Sequence, residues 1–521
     1  MAQTGWQAIL LTIPLAILVA PLLAGAAMSF VAGKARPGLS ALICEATALW
    51  ALAGAAALTF VTWPNAAVPQ PLALPTRLDA VSLVMLLLVS FVGWIVLRFS
   101  RTYLDGEPRQ GAFTGWLCLT LISVILLVTA AHLVQLVLSW IATSLCLHRL
   151  LRFYPDRIGA RRAARKKFII ARLSDLALIA GALLLHGAYG SQDLSAILAA
   201  ARAGSGGGMA VAAAALLAGA AILKSAQFPS HGWLTEVMET PTPVSALLHA
   251  GIVNGGGFLL IRFADVMLLA PAVLALLVVI GGFTAIFGSL VMLTQPAVKT
   301  SLAWSTVAQM GFMIFECGLG LFPLALLHIV AHSLYKAHAF LASGGAVERV
   351  ASIPRPGPVA VPSATAVGKA FLIALGIYLA MSSLFATSHR SVQALALGAI
   401  LIFGVAYLIA QGLAGAAPRA LAWRILVAAC LVSAAYFALQ LAATELTGTL
   451  LPSPPPCGPL EWALILLALA SFGSVAVCQA MFPLWAHHPA AAGLRVHLSN
   501  GLYANAIFNR MAGGWTRSVQ S

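Results

Sequence analysis

Apolar residues recur along this chain in long uninterrupted runs, not in alternation with polar ones. Runs long enough to cross a bilayer core, about 20 residues, lie near 6–31, 39–63, 78–98, 112–130, 132–151, 166–188, 209–229, 242–263, 266–294, 298–320, 322–346, 365–387, 391–411, 419–443 and 459–481. Strands of a membrane barrel would alternate apolar and polar side chains in short segments, and no such pattern is visible. Helices are then the one spanning option, because a helix satisfies its own backbone amides in lipid. The pattern predicts an all-α fold, a polytopic transmembrane helical bundle of about fifteen helices.

Composition strengthens this. The chain is 61% hydrophobic and only 8% charged, where a soluble domain carries about a quarter charged residues. The net charge of +15 could point to nucleic acid, but the positions of the charges argue otherwise. With fifteen spans, an external N-terminus and an internal C-terminus, the internal segments hold 22 of the 29 Lys and Arg. The external loops hold four (Arg77, Arg202, Arg262, Arg390), and Arg172, Lys224 and Lys336 lie within spans. Such asymmetry is the positive-inside rule. It predicts an external N-terminus and an internal, cytoplasmic C-terminus. The dense run from Arg157 through Arg161, Arg162 and Arg165 to Lys167 is either a plain orientation signal or a surface for anionic lipid or an acidic partner face.

The first span has no basic residue before it and is too long for a signal h-region, so it reads as a retained helix. Seven cysteines are scattered without a CxxC pair, which supports neither a disulfide framework nor an iron–sulfur site. No GxGxxG or P-loop pattern is present, so energy must come from an ion gradient or a partner. The organisation expected is an N-terminal group of three spans (1–111), two five-helix blocks (112–263 and 264–411) and a C-terminal part with a cytoplasmic tail (412–521). The two blocks read as inverted repeats of the transporter type. Each carries interruptions: Pro229, Pro241 and Pro243 with Gly255–Gly257 in the first, Pro271 and Pro296 in the second.

The densest polar constellation begins at Lys224, followed by Ser225, Gln227, Pro229, Glu236, Glu239, His249 and Asn254. A lysine at membrane depth is costly and is usually paired or functional. Pro229 removes a backbone donor, and an opened helix frees carbonyls that hold water. Snorkelling to the interface is the bland alternative for Lys224. The second constellation, His328, His332 and Lys336, follows a spacing of four and lies along one helix face. The preceding helix offers Lys299, Ser301, Ser305 and Gln309, so two facing polar stripes are expected to form a wet channel. Ordinary hydrogen bonds to neighbouring helices would account for the two histidines equally well. No third ligand stands at a spacing that suits zinc. Asp175 follows Arg172 by three residues. It is either that residue's ion-pair partner or the acid that tunes Lys224. Glu45 and Glu316 lie nearer span ends and are weaker candidates.

These residues resemble a known family. The segments Lys224–Pro229, Trp233-Leu234 and Pro241–Asn254, with Leu302–Gly311 and His332–Ala337, closely resemble antiporter-like subunits, the large proton-pumping membrane subunits of complex I and the Mrp cation/proton antiporters. The resemblance covers about 75–350 and implies that Lys224 exchanges protons. It also implies that Lys299, His328, His332 and Lys336 match the family's central polar axis and that Asp175 matches a family aspartate. Two departures stand out. After Val137–Trp140, where the family places the glutamate that controls the lysine, this chain has Ile141. The second-half lysine has no clear match, since the surroundings of Lys369 do not fit. The long lateral C-terminal helix of the complex I subunit is missing too.

Those departures resemble most the branch serving bacterial DAB-type inorganic-carbon accumulation. That resemblance implies an ion-conducting, non-enzymatic subunit with no cofactor of its own. It also implies a DabA-like, zinc-containing cytoplasmic partner related to carbonic anhydrase, in a heterodimer or larger assembly. A redox-driven pump subunit, an Mrp-like antiporter and an anchor that has lost transport remain as alternatives.

Overall fold

A computed structural model describes residues 3–63, 76–345, 363–385, 391–413, 419–481 and 488–512, with 348 and 352 as isolated positions. Helices take up each predicted apolar run. They are α1 (Gln3–Ala32), α2 (Pro37–Thr62), α3 (Ala80–Tyr103), α4 (Gln110–Val128), α5 (Leu133–Leu151), α6 (Ile158–Tyr189), α7 (Leu194–Arg202) and α8 (Gly207–Lys224). There follow α9 (Gly232–Thr235), α10 (Thr242–Ala250), α11 (Gly255–Arg262), α12 (Ala264–Leu268), α13 (Pro271–Met292), α14 (Val298–Gly318) and α15 (Phe322–Leu341). The C-terminal part supplies α16 (Ala364–Leu384), α17 (Val392–Gly412), α18 (Arg419–Thr447), α19 (Pro459–Ala480), α20 (Pro489–Ser499) and α21 (Ala504–Ala512). Arg390 and most of the loops 64–77 and 347–364 lie outside the described residues.

Among the described residues, 14 segments are long and apolar enough to cross a membrane. The fifteenth predicted span is α14, which has 21 residues but carries Lys299, Ser301, Ser305, Gln309 and Glu316. Its polarity, not its length, sets it apart. Large apolar side chains such as Val31 and Phe60 stand 86% and 85% exposed, as lipid-facing positions must in a chain folded for hydrocarbon.

Short local signals set the helix ends. Asp79 precedes α3 and accepts from Ser82 N at 2.9 Å, and Asp193 does the same for α7 through Ala196 N. Gly190, with φ at 62°, closes α6. One buried core runs from α1 through α15. Helices α16–α19 hold a second, joined to the first through Val278, Phe315, Leu397 and Ile465. Glycine permits the tightest crossing: a Cβ on Gly281 of α13 would stand 2.5 Å from Phe315 N of α14.

Two expectations about interruptions are corrected. Pro271 opens α13, and Pro296 lies in the turn before α14, so both delimit helices without breaking them. Pro243 likewise sits at the start of α10, where a proline's missing N–H costs nothing. The real breaks are two. Helix α8 stops at Lys224 and unwinds through Ser225–His231, a stretch that contains Pro229, before the short α9. The segment 242–262 breaks at Gly251 (φ −124°, ψ −73°) and resumes at Gly255.

Candidate ion-translocation site

The unwinding after α8 makes Lys224 the last helical residue, so its ammonium sits at the negative end of the helix dipole. Ala226 then adopts a left-handed backbone (φ 51°), a conformation costing a residue with a Cβ roughly 1–2 kcal/mol and concentrated at functional sites. Gly256 of α11 allows this knot to close, since a Cβ there would stand 2.5 Å from Ala221 O. Ser225 donates to Val253 O at 2.9 Å and ties the two breaks together.

Lys224 is buried, and its Nζ lies 4.3 Å from the centroid of the Trp140 ring on α5. Asp175 on α6 pairs with Arg172 at 2.6 Å. It also remains the opposite charge acting on Lys224, without reaching it as an ion pair among the described residues. The ion-pair reading of Asp175 is therefore met at Arg172.

From Lys224 the polar groups continue through the second break. Gly251 releases carbonyls that would otherwise be bonded inside the helix. His332 Nε2 meets His249 O at 3.1 Å. Asn254 Nδ2 donates to Ala250 O at 3.0 Å and to Ser333 Oγ at 2.9 Å. The His249 ring stacks on Phe340 at 4.3 Å, and neither of its nitrogens has a partner in the protein. His328 and His332 lie 6.0 Å apart, and His328 Nδ1 contacts Glu316 Oε2 at 3.0 Å. Lys336 Nζ donates to Ser305 Oγ and, at 3.3 Å, to Leu302 O. Lys299 Nζ donates to Thr242 Oγ1 at 3.0 Å.

The facing-stripe expectation therefore holds at Ser305 and Lys336 and fails at Gln309, which is exposed on the outer side of α14. Steps of four drift around a helix of 3.6 residues per turn, so the acid that reaches His328 is Glu316. Pro241 and Pro243 start α10 and position His249 two turns later. Lys369 is exposed on the continuous helix α16, apart from this axis.

Three groups were missed. Lys166 and Lys167, counted above as orientation charges, are both buried. Lys166 pairs with Glu236 at 2.5 Å, and Lys167 donates to Ser144 O at 2.6 Å and Ser144 Oγ at 3.0 Å. Their helical phase carries the signal, because Ala160, Ala163, Ala164, Lys167, Ala171 and Ser174 are all buried on α6. His231, in the unwound segment, is enclosed by Phe228, Phe287 and Trp304 with both ring nitrogens unpartnered. Among the described residues no group of three His, Cys, Asp or Glu could hold a metal ion.

Family models match where this axis lies. Residues 130–354 match the NADH:quinone oxidoreductase/Mrp antiporter transmembrane family, and 70–114 match the N-terminal region of complex I chain 5. A probable inorganic carbon transporter subunit, DabB2 of Halothiobacillus neapolitanus, is 40% identical over 85% of this chain and 80% of its own length. This chain belongs to the antiporter-like membrane-subunit family that includes the DabB subunits. The probable inorganic carbon transporter subunit DabB of Hydrogenovibrio crunogenus is 47% identical over 51% of this chain and 52% of its own length. NADH-ubiquinone oxidoreductase chain 5 of Metridium senile is 34% identical over 53% of this chain and 46% of its own. The Mrp complex of a Dietzia species holds a chain of the same fold, with a TM-score of 0.61 at 23% identity, covering 98% of this chain and 60% of that one. The chain is a membrane protein, and its relatives are transporter-type subunits.

Proposed function

We propose that this chain conducts protons, or sodium ions, along the Lys224–His249–His332–Lys336 axis. An ion gradient is thereby coupled to accumulation of inorganic carbon as bicarbonate. The hydration chemistry belongs to a DabA-like, zinc-containing, carbonic-anhydrase-like partner on the cytoplasmic side. What carries the reading is the 40% identity to the DabB2 subunit across 85% of this chain, which extends well beyond the antiporter core.

Supporting it, buried or half-buried titratable groups follow one another from Lys167 and Lys224 to His332, His328 and Glu316. In this reading Lys224 receives an ion or proton at the α8 break, and Asp175 offsets its charge. Waters held by the freed carbonyls around His249 pass it to the α15 residues. The chain sits in a bacterial inner membrane with its N-terminus periplasmic, and the blocks 112–263 and 264–411 form the two halves of the path. Ile141, in place of the family's glutamate, argues against a redox-driven pump or an Mrp-type antiporter.

The test is rescue of a bacterium lacking carbonic anhydrase. Growth in air should require this chain together with its partner and should collapse with an ionophore. Purification from native membrane should bring down one large zinc protein. Recovery of flavin and iron–sulfur subunits, or of other antiporter subunits, would replace this reading with the alternative.

A further inference from the structure

The turn joining α5 to α6 (152–157) leaves a groove between the last turn of one helix and the first turns of the next. It has two adjoining chambers of about 390 and 470 Å³ that share His148, Arg152 and Phe168. Arg149, Arg152, Arg161 and Arg165 line it with exposed guanidinium groups, and Trp116 and Phe168 supply an aromatic wall. Arg149 lies over the Trp116 ring at 5.6 Å.

Three features set this groove apart from a plain orientation signal. None of the ion pairs among the described residues involves Arg149, Arg152 or Arg161. The first turn of α6 has no acidic residue, so the positive end of that helix dipole adds to the cations. The Nδ1 of His148 is buried beside the groove without a partner. Orientation signals need only charge near a helix end. A cavity, an aromatic wall and an unpartnered buried polar atom go beyond that need.

We propose that this groove binds the phosphate headgroup of an anionic membrane phospholipid. Its surroundings select a lipid over a free anion. Leu145, Phe168 and Ile169 beside it are 44%, 39% and 38% exposed, an apolar flank onto which acyl chains can lie while the arginines hold the phosphate. Basic pockets between transmembrane helices on the cytoplasmic side suit such headgroups, and guanidinium forks match phosphate oxygens.

Full-length protein in phosphatidylcholine nanodiscs containing a minor fraction of spin-labelled phosphatidylglycerol would report the motionally restricted lipid. Arg152→Gln with Arg161→Gln should weaken phosphatidylglycerol association about 30-fold, as two surface charges would. Lys34→Gln with Arg36→Gln removes the same charge from another basic loop and should leave it within about two-fold. Arg152→Lys with Arg161→Lys keeps the topology signal and should retain most of the binding. Unchanged lipid restriction in the glutamine pair would overturn the proposal. So would displacement of the label by millimolar inorganic phosphate, which marks a free-anion site. Loss of a co-purifying acidic protein with lipid binding intact would overturn it too, in favour of a protein interface.

Discussion

The Lys224 ammonium lies 4.3 Å from the centre of the Trp140 indole, immediately beside Ile141, the position at which the family resemblance implies a glutamate. An aromatic face thus occupies part of the role of a carboxylate. It stabilises the cation through its quadrupole, an interaction of about 2 kcal/mol when desolvated, without forming an ion pair. A partner of that kind favours bound charge but does not trap it. Trp140→Phe should keep most ion-dependent carbon uptake, because an aromatic face remains. Trp140→Leu should lower uptake by roughly ten-fold or more at equal membrane levels, and Lys224→Ala should abolish it. Full uptake in Lys224→Ala would reduce the lysine to a structural residue.

Asp175 is the single carboxylate among three buried or half-buried cations, Lys167, Arg172 and Lys224, whose charges all act on it. Asp175→Asn should therefore impair assembly as well as transport, since it removes the counter-charge from the half-buried Arg172 and from the buried lysines near it. Asp175→Glu should retain part of both. Combining Asp175→Asn with Arg172→Gln should restore membrane abundance while leaving uptake low. Immunoblots and carbon uptake measured together separate the two effects. Normal uptake in Asp175→Asn would show that Lys224 works without it.

The helical bundle was legible in the sequence because lipid allows little else: runs of twenty apolar residues have one way to satisfy their amides. Lys224, His332 and Lys336 were legible for the converse reason, since ionisable groups inside such runs stand out. Lys166 and Lys167 were hidden by company. Six arginines from Arg149 to Arg165 precede them, and only the buried phase of α6 separates them from the solvated charges. The unwinding at Lys224 comes five residues before Pro229, so the proline marked the region but not the point. The pairing of His328 with Glu316 needs both ends of the α14–α15 hairpin brought together at Gly320 (φ 75°), a relation no single-helix periodicity contains.

That pairing makes its own prediction. Glu316 is buried, and His328 Nδ1 is its hydrogen-bond partner at 3.0 Å. Glu316→Gln should slow ion-dependent uptake several-fold while a glutamine amide keeps the hydrogen bond to the imidazole. His328→Ala should also slow it and should add destabilisation, because the carboxylate is left unpaired in the protein interior. Lys336→Ala removes the group bonded to Ser305 and should block uptake more completely than His332→Ala, since waters at the Gly251 break can bridge around one imidazole. Equal and full activity in Glu316→Gln and Lys336→Ala would place the conducting path elsewhere.

Orientation gives the last prediction. Helix α6 has 32 residues, about 48 Å at 1.5 Å per residue, longer than a bilayer core of about 30 Å. At one end Lys166 meets Glu236. There α21 docks, with Asn505 Nδ2 donating to Thr235 Oγ1 at 3.3 Å and Asn509 Nδ2 reaching Glu236 Oε1 at 3.5 Å. Gly232 leaves room for that contact, because a Cβ there would displace the end of the Asn505 side chain. At the other end the Tyr189 hydroxyl donates to Ser205 O at 3.0 Å. The C-terminal helices and Ser205 therefore lie at opposite ends of one membrane-crossing helix. From the charge asymmetry, the first end is expected in the cytoplasm. A reporter fused after Ser521 should behave as cytoplasmic, and one inserted at Ser205 as periplasmic. Gly232→Leu should detach α21, so that trypsin added from the cytoplasmic side only cleaves after Arg510, an exposed residue held in helix while α21 is docked. Two reporters on the same side would refute the fifteen-span arrangement.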